Sequence, residues 1–76
     1  MDPQTAWDDL LEALGQRDWD RVDELADGLL HWLQSDGFPP RAVTGSDLGA
    51  DWDREIALAG CRIALAQARE GVAHVP

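Results

Sequence analysis

The residues best suited to chemistry in this sequence lie close together: Glu24, Asp27 and His31. Asp27 and His31 are four apart, which on a helix puts a carboxylate and an imidazole on adjacent turns of one face. An oxygen and a nitrogen so placed suit a divalent transition metal, and Glu24 adds a second carboxylate a turn earlier. Two ligands are not a site, however. A structural zinc takes four protein ligands and a catalytic zinc usually three, so a second copy of the chain would have to supply the rest. Without a metal, Asp27 and His31 form a solvated pair worth about 0.3–0.5 kcal/mol when the ring is charged. No cofactor is therefore expected. The alternative is a metal- or ligand-binding protein whose site is assembled by oligomerisation around Asp27 and His31.

Other chemically capable residues have no partners in sequence. Cys61 sits among Ala, Leu and Ile and reads as a small buried apolar side chain, with nothing nearby to lower its pKa. Ser35 and Ser46 fall at expected helix ends, without a base or an oxyanion loop. His74 belongs to the tail. There is no Gly-rich phosphate loop and no Cys-x-x-Cys pair. No catalytic constellation emerges, and the chain is not read as an enzyme.

Composition narrows the classes further. The chain has 76 residues, enough for one small domain, with 15 acids, six bases and a net charge of −9. All six bases are Arg, and there are four Trp. Apolar residues at 45% argue against disorder, which combines low hydrophobicity with high charge. A phosphate backbone would repel the chain, so no nucleic-acid partner is expected. No run approaches the ~18 apolar residues of a membrane span, and Met1-Asp2-Pro3 lacks the basic start of a signal peptide. A lone cysteine fits a reducing cytoplasm, and the Arg-, Ala- and Gly-rich usage suggests a GC-rich bacterial genome. A domain of this size buries only about 60% of its unfolded surface, and small scaffolds often gain stability from a partner chain.

The elements that must position these residues are helices. Asp2-Pro3 offers a cap followed by Pro at the first helical position, and Trp7, Leu10, Leu11 and Leu14 share one face. The first helix is predicted over about 3–14, closed by Gly15 in the left-handed conformation. Asp18 caps a second helix over about 18–35, apolar at Trp19, Val22, Ala26, Leu29 and Leu33 and acidic at Asp20, Asp23, Glu24 and Asp27. Gly37 is expected at its left-handed terminus, with Phe38 covering Leu33 and Pro39-Pro40 forbidding continuation. A loop over 36–46 follows, then a third helix over about 47–70 closed by Gly71, and a frayed tail over 72–76. The expected fold is all-α, a single three-helix bundle over 1–76 made of a short hairpin and a longer third helix.

The third helix is apolar on two opposed sides. Leu48, Trp52, Ile56, Ala59, Ile63 and Ala66 form one stripe at 100° per residue. Leu58, Cys61, Leu65, Ala68 and Val72 form another, with Ala57, Gly60 and Ala64 between them. A helix apolar on two faces must be covered on both, and two short helices can cover only one. A protein–protein interaction module is therefore expected, self-associating as a homodimer through the third helix or docking on a larger protein. The small residues would let two helices approach closely, so Leu58, Cys61, Leu65 and Ala68, with Trp32 at the flank of the second helix, are the expected contact surface. Charge agrees: residues 1–38 carry ten acids and two bases, whereas 39–76 carry five and four, so the low-charge part is the third helix.

Asp-Trp-Asp-Arg occurs twice, at 18–21 and 51–54, a separation close to the period of helical hairpin repeats. Residues 6–33, from Ala6-Trp7 through Asp18-Trp19-Asp20-Arg21-Val22 to Leu29-Leu30, resemble a single tetratricopeptide unit. Val22 stands where that family prefers Ala, and Pro39-Pro40 with its loop replaces the first helix of a following unit. The resemblance implies a helix-hairpin interaction module. A simpler reading of the repeat is that Asp caps a helix and Trp anchors it, twice.

Overall fold

The computed structural model describes residues 1–73. Three helices follow one another: α1 (Pro3–Gln16), α2 (Trp19–Gln34) and α3 (Ala50–Ala73). No strand occurs among the described residues. The architecture is an all-α three-helix bundle, measuring 43 × 26 × 17 Å. Its long axis reflects α3, whose 24 residues exceed the 14 of α1 and the 16 of α2.

Asp2 starts α1. Its carboxylate accepts from the Gln4 and Thr5 backbone N–H groups and from the Thr5 hydroxyl, the last at 2.8 Å. These bonds satisfy donors that the first helical turn leaves free and hold the Asp2 carboxyl below its ordinary range, the Thr5 hydroxyl contributing most. Pro3 follows at the first helical position and is buried.

Both hairpin helices end differently from the sequence expectation. Gly15 lies inside α1, and Arg17 takes the left-handed conformation instead, at φ 55°. Arg17 N–H donates to the Leu14 carbonyl and Asp18 N–H to the Ala13 carbonyl, the paired bonds of a Schellman motif. Asp18 then turns its carboxylate to the Arg21 N–H and caps α2. One residue thus ends one helix and begins the next, which leaves no room for a looser turn at Gly15. At the end of α2 the left-handed residue is Asp36, φ 63°, one position before Gly37. Gly37 N–H reaches back to the Trp32 carbonyl at 2.9 Å. Gly37 is needed there for space, since a Cβ on it would come within 2.4 Å of the Trp32 ring. Phe38 does not cover Leu33. It is 64% exposed and meets the Trp32 ring edge-on, 5.6 Å between centroids.

The loop from Ser35 to Gly49 packs back on the hairpin. Pro40 is fully buried, and the Arg41 N–H donates to the Gln4 side chain at 2.8 Å. α3 begins at Ala50, later than expected, and Gly71 lies within it rather than closing it. Residues 74–76 of the expected frayed tail, with His74, lie outside the described residues.

The core runs between the helices. Trp7, Leu10 and Ala13 come from α1, Val22, Ala26, Leu29 and Leu33 from α2, and Ala57, Cys61, Ala64, Leu65 and Ala68 from α3. Leu11, expected on the buried stripe of α1, is about half exposed, and Ala13 takes the inward place. α3 packs mainly on α2.

Candidate functional site

The two apolar sides of α3 separate cleanly, and the side turned inward is the one richer in small residues, with Leu65 among them. The hairpin presents large side chains: Trp7, Leu10, Leu29 and Leu33. Filling the space against them at interior density requires small partners, and Ala57, Gly60, Cys61, Ala64 and Ala68 supply these. Trp7 lies directly over Gly60, where a Cβ would come within 2.7 Å of the ring.

This placement corrects the expected contact surface. Cys61, Leu65 and Ala68 are core residues of the chain itself, at most 8% exposed, and Leu58 is partly buried against them. Burial pushes the Cys61 thiol up to about 11. Trp32 is half-buried, with its indole N–H donating to the Phe38 carbonyl at 2.9 Å. It serves the end of α2. The side chain of Val72, the last residue of that stripe, lies outside those described.

Left open is the opposite stripe. Trp52 is 57% exposed, Ile56 39% and Ile63 60%. Ala59 and Ala66, between and beyond them, are also exposed, as is Leu48 just before the helix. A shallow hollow lined by Asp51, Trp52 and Glu55 lies at the N-terminal end of the row.

Two polar residues fix the rotation of α3 that produces this face. Asp53 accepts from the Ala42 and Val43 N–H groups through one carboxylate oxygen, at 3.1 and 3.0 Å. Arg54 donates to the Leu33 carbonyl at 2.8 Å and the Gly37 carbonyl at 2.9 Å. The guanidinium thereby occupies the carbonyl end of α2, where a cation also suits the helix dipole. Arg54 points toward the end of α2 and Asp53 toward the loop, and Trp52 and Ile56, each about 160° around the helix from Arg54, point away. The two Asp-Trp-Asp-Arg segments therefore act differently. In the first, Asp18 caps α2 and Arg21 makes a loose 4.0 Å pair with Asp9. In the second, Asp51 lies inside α3, Trp52 is exposed, and Asp53 and Arg54 tie α3 to the loop and to α2. A cap and an anchoring Trp are not repeated.

The acidic face of α2 assembles less. His31 Nδ1 donates to the Asp27 carbonyl at 2.9 Å and stands 3.6 Å from the Asp27 carboxylate, with both side chains largely in solvent. Glu24 is exposed and joins no ligand set with them. Among the described residues no group of three or more His, Cys, Asp or Glu side chains is placed to hold a metal ion, and no helix is long and apolar enough to cross a membrane.

No protein-family model matches this chain, nor does any curated protein or solved structure.

The apolar row from Leu48 to Ala66 was legible in sequence, but which of the two sides stayed open was not. The usable signal was side-chain volume. Large residues on the hairpin require small ones opposite, and the Asp53-Arg54 pair beside Trp52 marks the inward edge.

Proposed function

We propose that this chain is a small acidic protein–protein interaction module whose docking surface is the open side of α3. One observation carries the reading: Trp52, Ile56 and Ile63 stand in a row on one helix face, each more than a third exposed. Single exposed apolar residues are ordinary, but a contiguous row marks a contact surface. Trp is moreover enriched among residues that dominate binding energy. The likeness of residues 6–33 to a tetratricopeptide hairpin supports the same class. The hairpin acts as scaffold: it holds α3 by its small-residue side and keeps most of the acidic charge away from the contact. A reducing, cytoplasmic setting suits the single buried thiol.

A photo-crosslinking residue at position 63, introduced in the cell the protein comes from, tests this. A discrete crosslinked product from position 63, and none from position 23 on the acidic side of α2, is the expected result. Equal yields from the two positions, or none from position 63, would overturn it. The product's mass also reports whether the docked chain is a second copy or a larger protein.

A further inference from the structure

We infer that the occupant of this face is a second copy of the chain, bound antiparallel, with Glu55 of each copy opposite the partner's Arg62. The inference rests on the docking surface proposed above and specifies its partner.

Spacing is the first ground. Trp52, Ile56, Ala59, Ile63 and Ala66 step by four, three, four and three, the seam of a two-helix coiled coil rather than the wider stripe of a globular helix. Such a seam fits another like itself. It stops at Glu70, the next position in the series, which is exposed and charged.

The flanks set direction. On one side of the seam stand Glu55, Arg62 and Arg69, each seven residues from the next, all exposed and none in a salt bridge among the described residues. On the other stand Asp53, already bonded to the Ala42 and Val43 N–H groups, Gly60, covered by Trp7, and Gln67. In a parallel pair each flank meets the opposite one, so Glu55 and Arg62 would face Gly60 and Gln67 and find no countercharge. In an antiparallel pair, like flanks meet. A two-fold axis level with residues 57 and 58 then brings Glu55 to the partner's Arg62 twice. The same register stacks Trp52 on the partner's Ile63 and Ile56 on the partner's Ala59, so all four seam residues from 52 to 63 are covered in both copies.

Net charge permits this arrangement. Residues 39–76 carry five acids and four bases, and the ten acids of residues 1–38 belong mainly to the hairpins, which lie on the outer sides of the paired α3 helices. Repulsion between two chains of charge −9 is thereby kept away from the seam.

Sedimentation equilibrium of the full chain tests the inference. The wild type should pass from 8.4 kDa to twice that mass across the micromolar range. Glu55→Arg and Arg62→Glu each replace two attractions by two repulsions and should raise Kd about tenfold. Both sites are exposed, and circular dichroism should show unchanged helicity. Mixed in equal amounts, the two variants should recover wild-type affinity, because only the heterodimer pairs both charges. A mixture no tighter than either variant alone would overturn the antiparallel register. A wild type that stays at 8.4 kDa would overturn the second copy, and a crosslink from position 63 to a different protein would then leave the docking surface itself standing.

Discussion

The ring of Trp7 lies over Gly60, close enough that a methyl group there would come within 2.7 Å of ring atom Cη2. This contact brings α1 against α3 and makes the small side of α3 its inner side. Gly60→Ala gains about 1 kcal/mol of helix propensity but overpacks a ring that is 8% exposed, at a cost of about 1–3 kcal/mol. The expected sum is a modest loss of stability in the wild-type background. In Trp7→Leu the obstacle is gone and the same substitution should stabilise. A double-mutant cycle by urea denaturation reads the coupling. An equal effect of Gly60→Ala in both backgrounds would show that ring and glycine are independent.

Gly15 lies within α1 with open space around it. Gly15→Ala should therefore stabilise by about 0.5–1 kcal/mol, raising Tm by roughly 4–8 °C per kcal/mol in a domain of this size. A lower Tm would place the left-handed residue at Gly15 after all.

Asp36 takes the left-handed conformation that Gly37 does not. Asp36→Gly should raise stability by about 0.5–1 kcal/mol. Gly37→Ala and Gly37→Asn should both lower it, because either side chain strikes the Trp32 ring, and both should alter Trp32 fluorescence. Gly37→Asn behaving better than Gly37→Ala would indicate a left-handed cap at 37 instead.

Asp2 titrates below its ordinary value of 3.8 because the Thr5 hydroxyl and the first backbone N–H groups of α1 bond to its charged form. A depressed folded pKa contributes stability above the unfolded value, and this is lost as pH falls through the folded one. Asp2→Ala should therefore melt below the wild type at neutral pH, and the gap should close as the pH drops well under 3.8. A gap that persists at pH 2 would mean the cap does not depend on the carboxylate's charge.

Cys61 is fully buried and its thiol is raised from 9.0 to about 11 by that burial. Thiol reagents at pH 8 should label it only through unfolding, at a rate that rises with denaturant. Above the unfolded pKa the unfolded chain loses its thiol proton first, so stability should fall between pH 9 and about 11, and Cys61→Ala should lack that component. Immediate labelling of the native chain would place Cys61 at the surface.

By itself the sequence determined three helices, their polarity along the chain and the surplus of apolar surface on the last. Apolar residues at steps of three and four, Asp at the helix starts and Pro39-Pro40 as a stop are local signals. They depend on 3.6-residue geometry and on which backbone groups a turn leaves unbonded. Val22, Ala26, Leu29 and Leu33 were readable as core for that reason. Which end residue turns left-handed was not, because it depends on where the next element begins: Asp18 must serve two helices, and Trp32 must lie flat on Gly37. The tertiary structure also decided which side of α3 stays open. Helical spacing gives two apolar stripes equal standing, and only the volume of Trp7, Leu10, Leu29 and Leu33 across the interface selects Ala57, Cys61, Ala64 and Ala68 as their partners. That choice, held by Asp53 and Arg54, leaves Trp52, Ile56 and Ile63 facing outward.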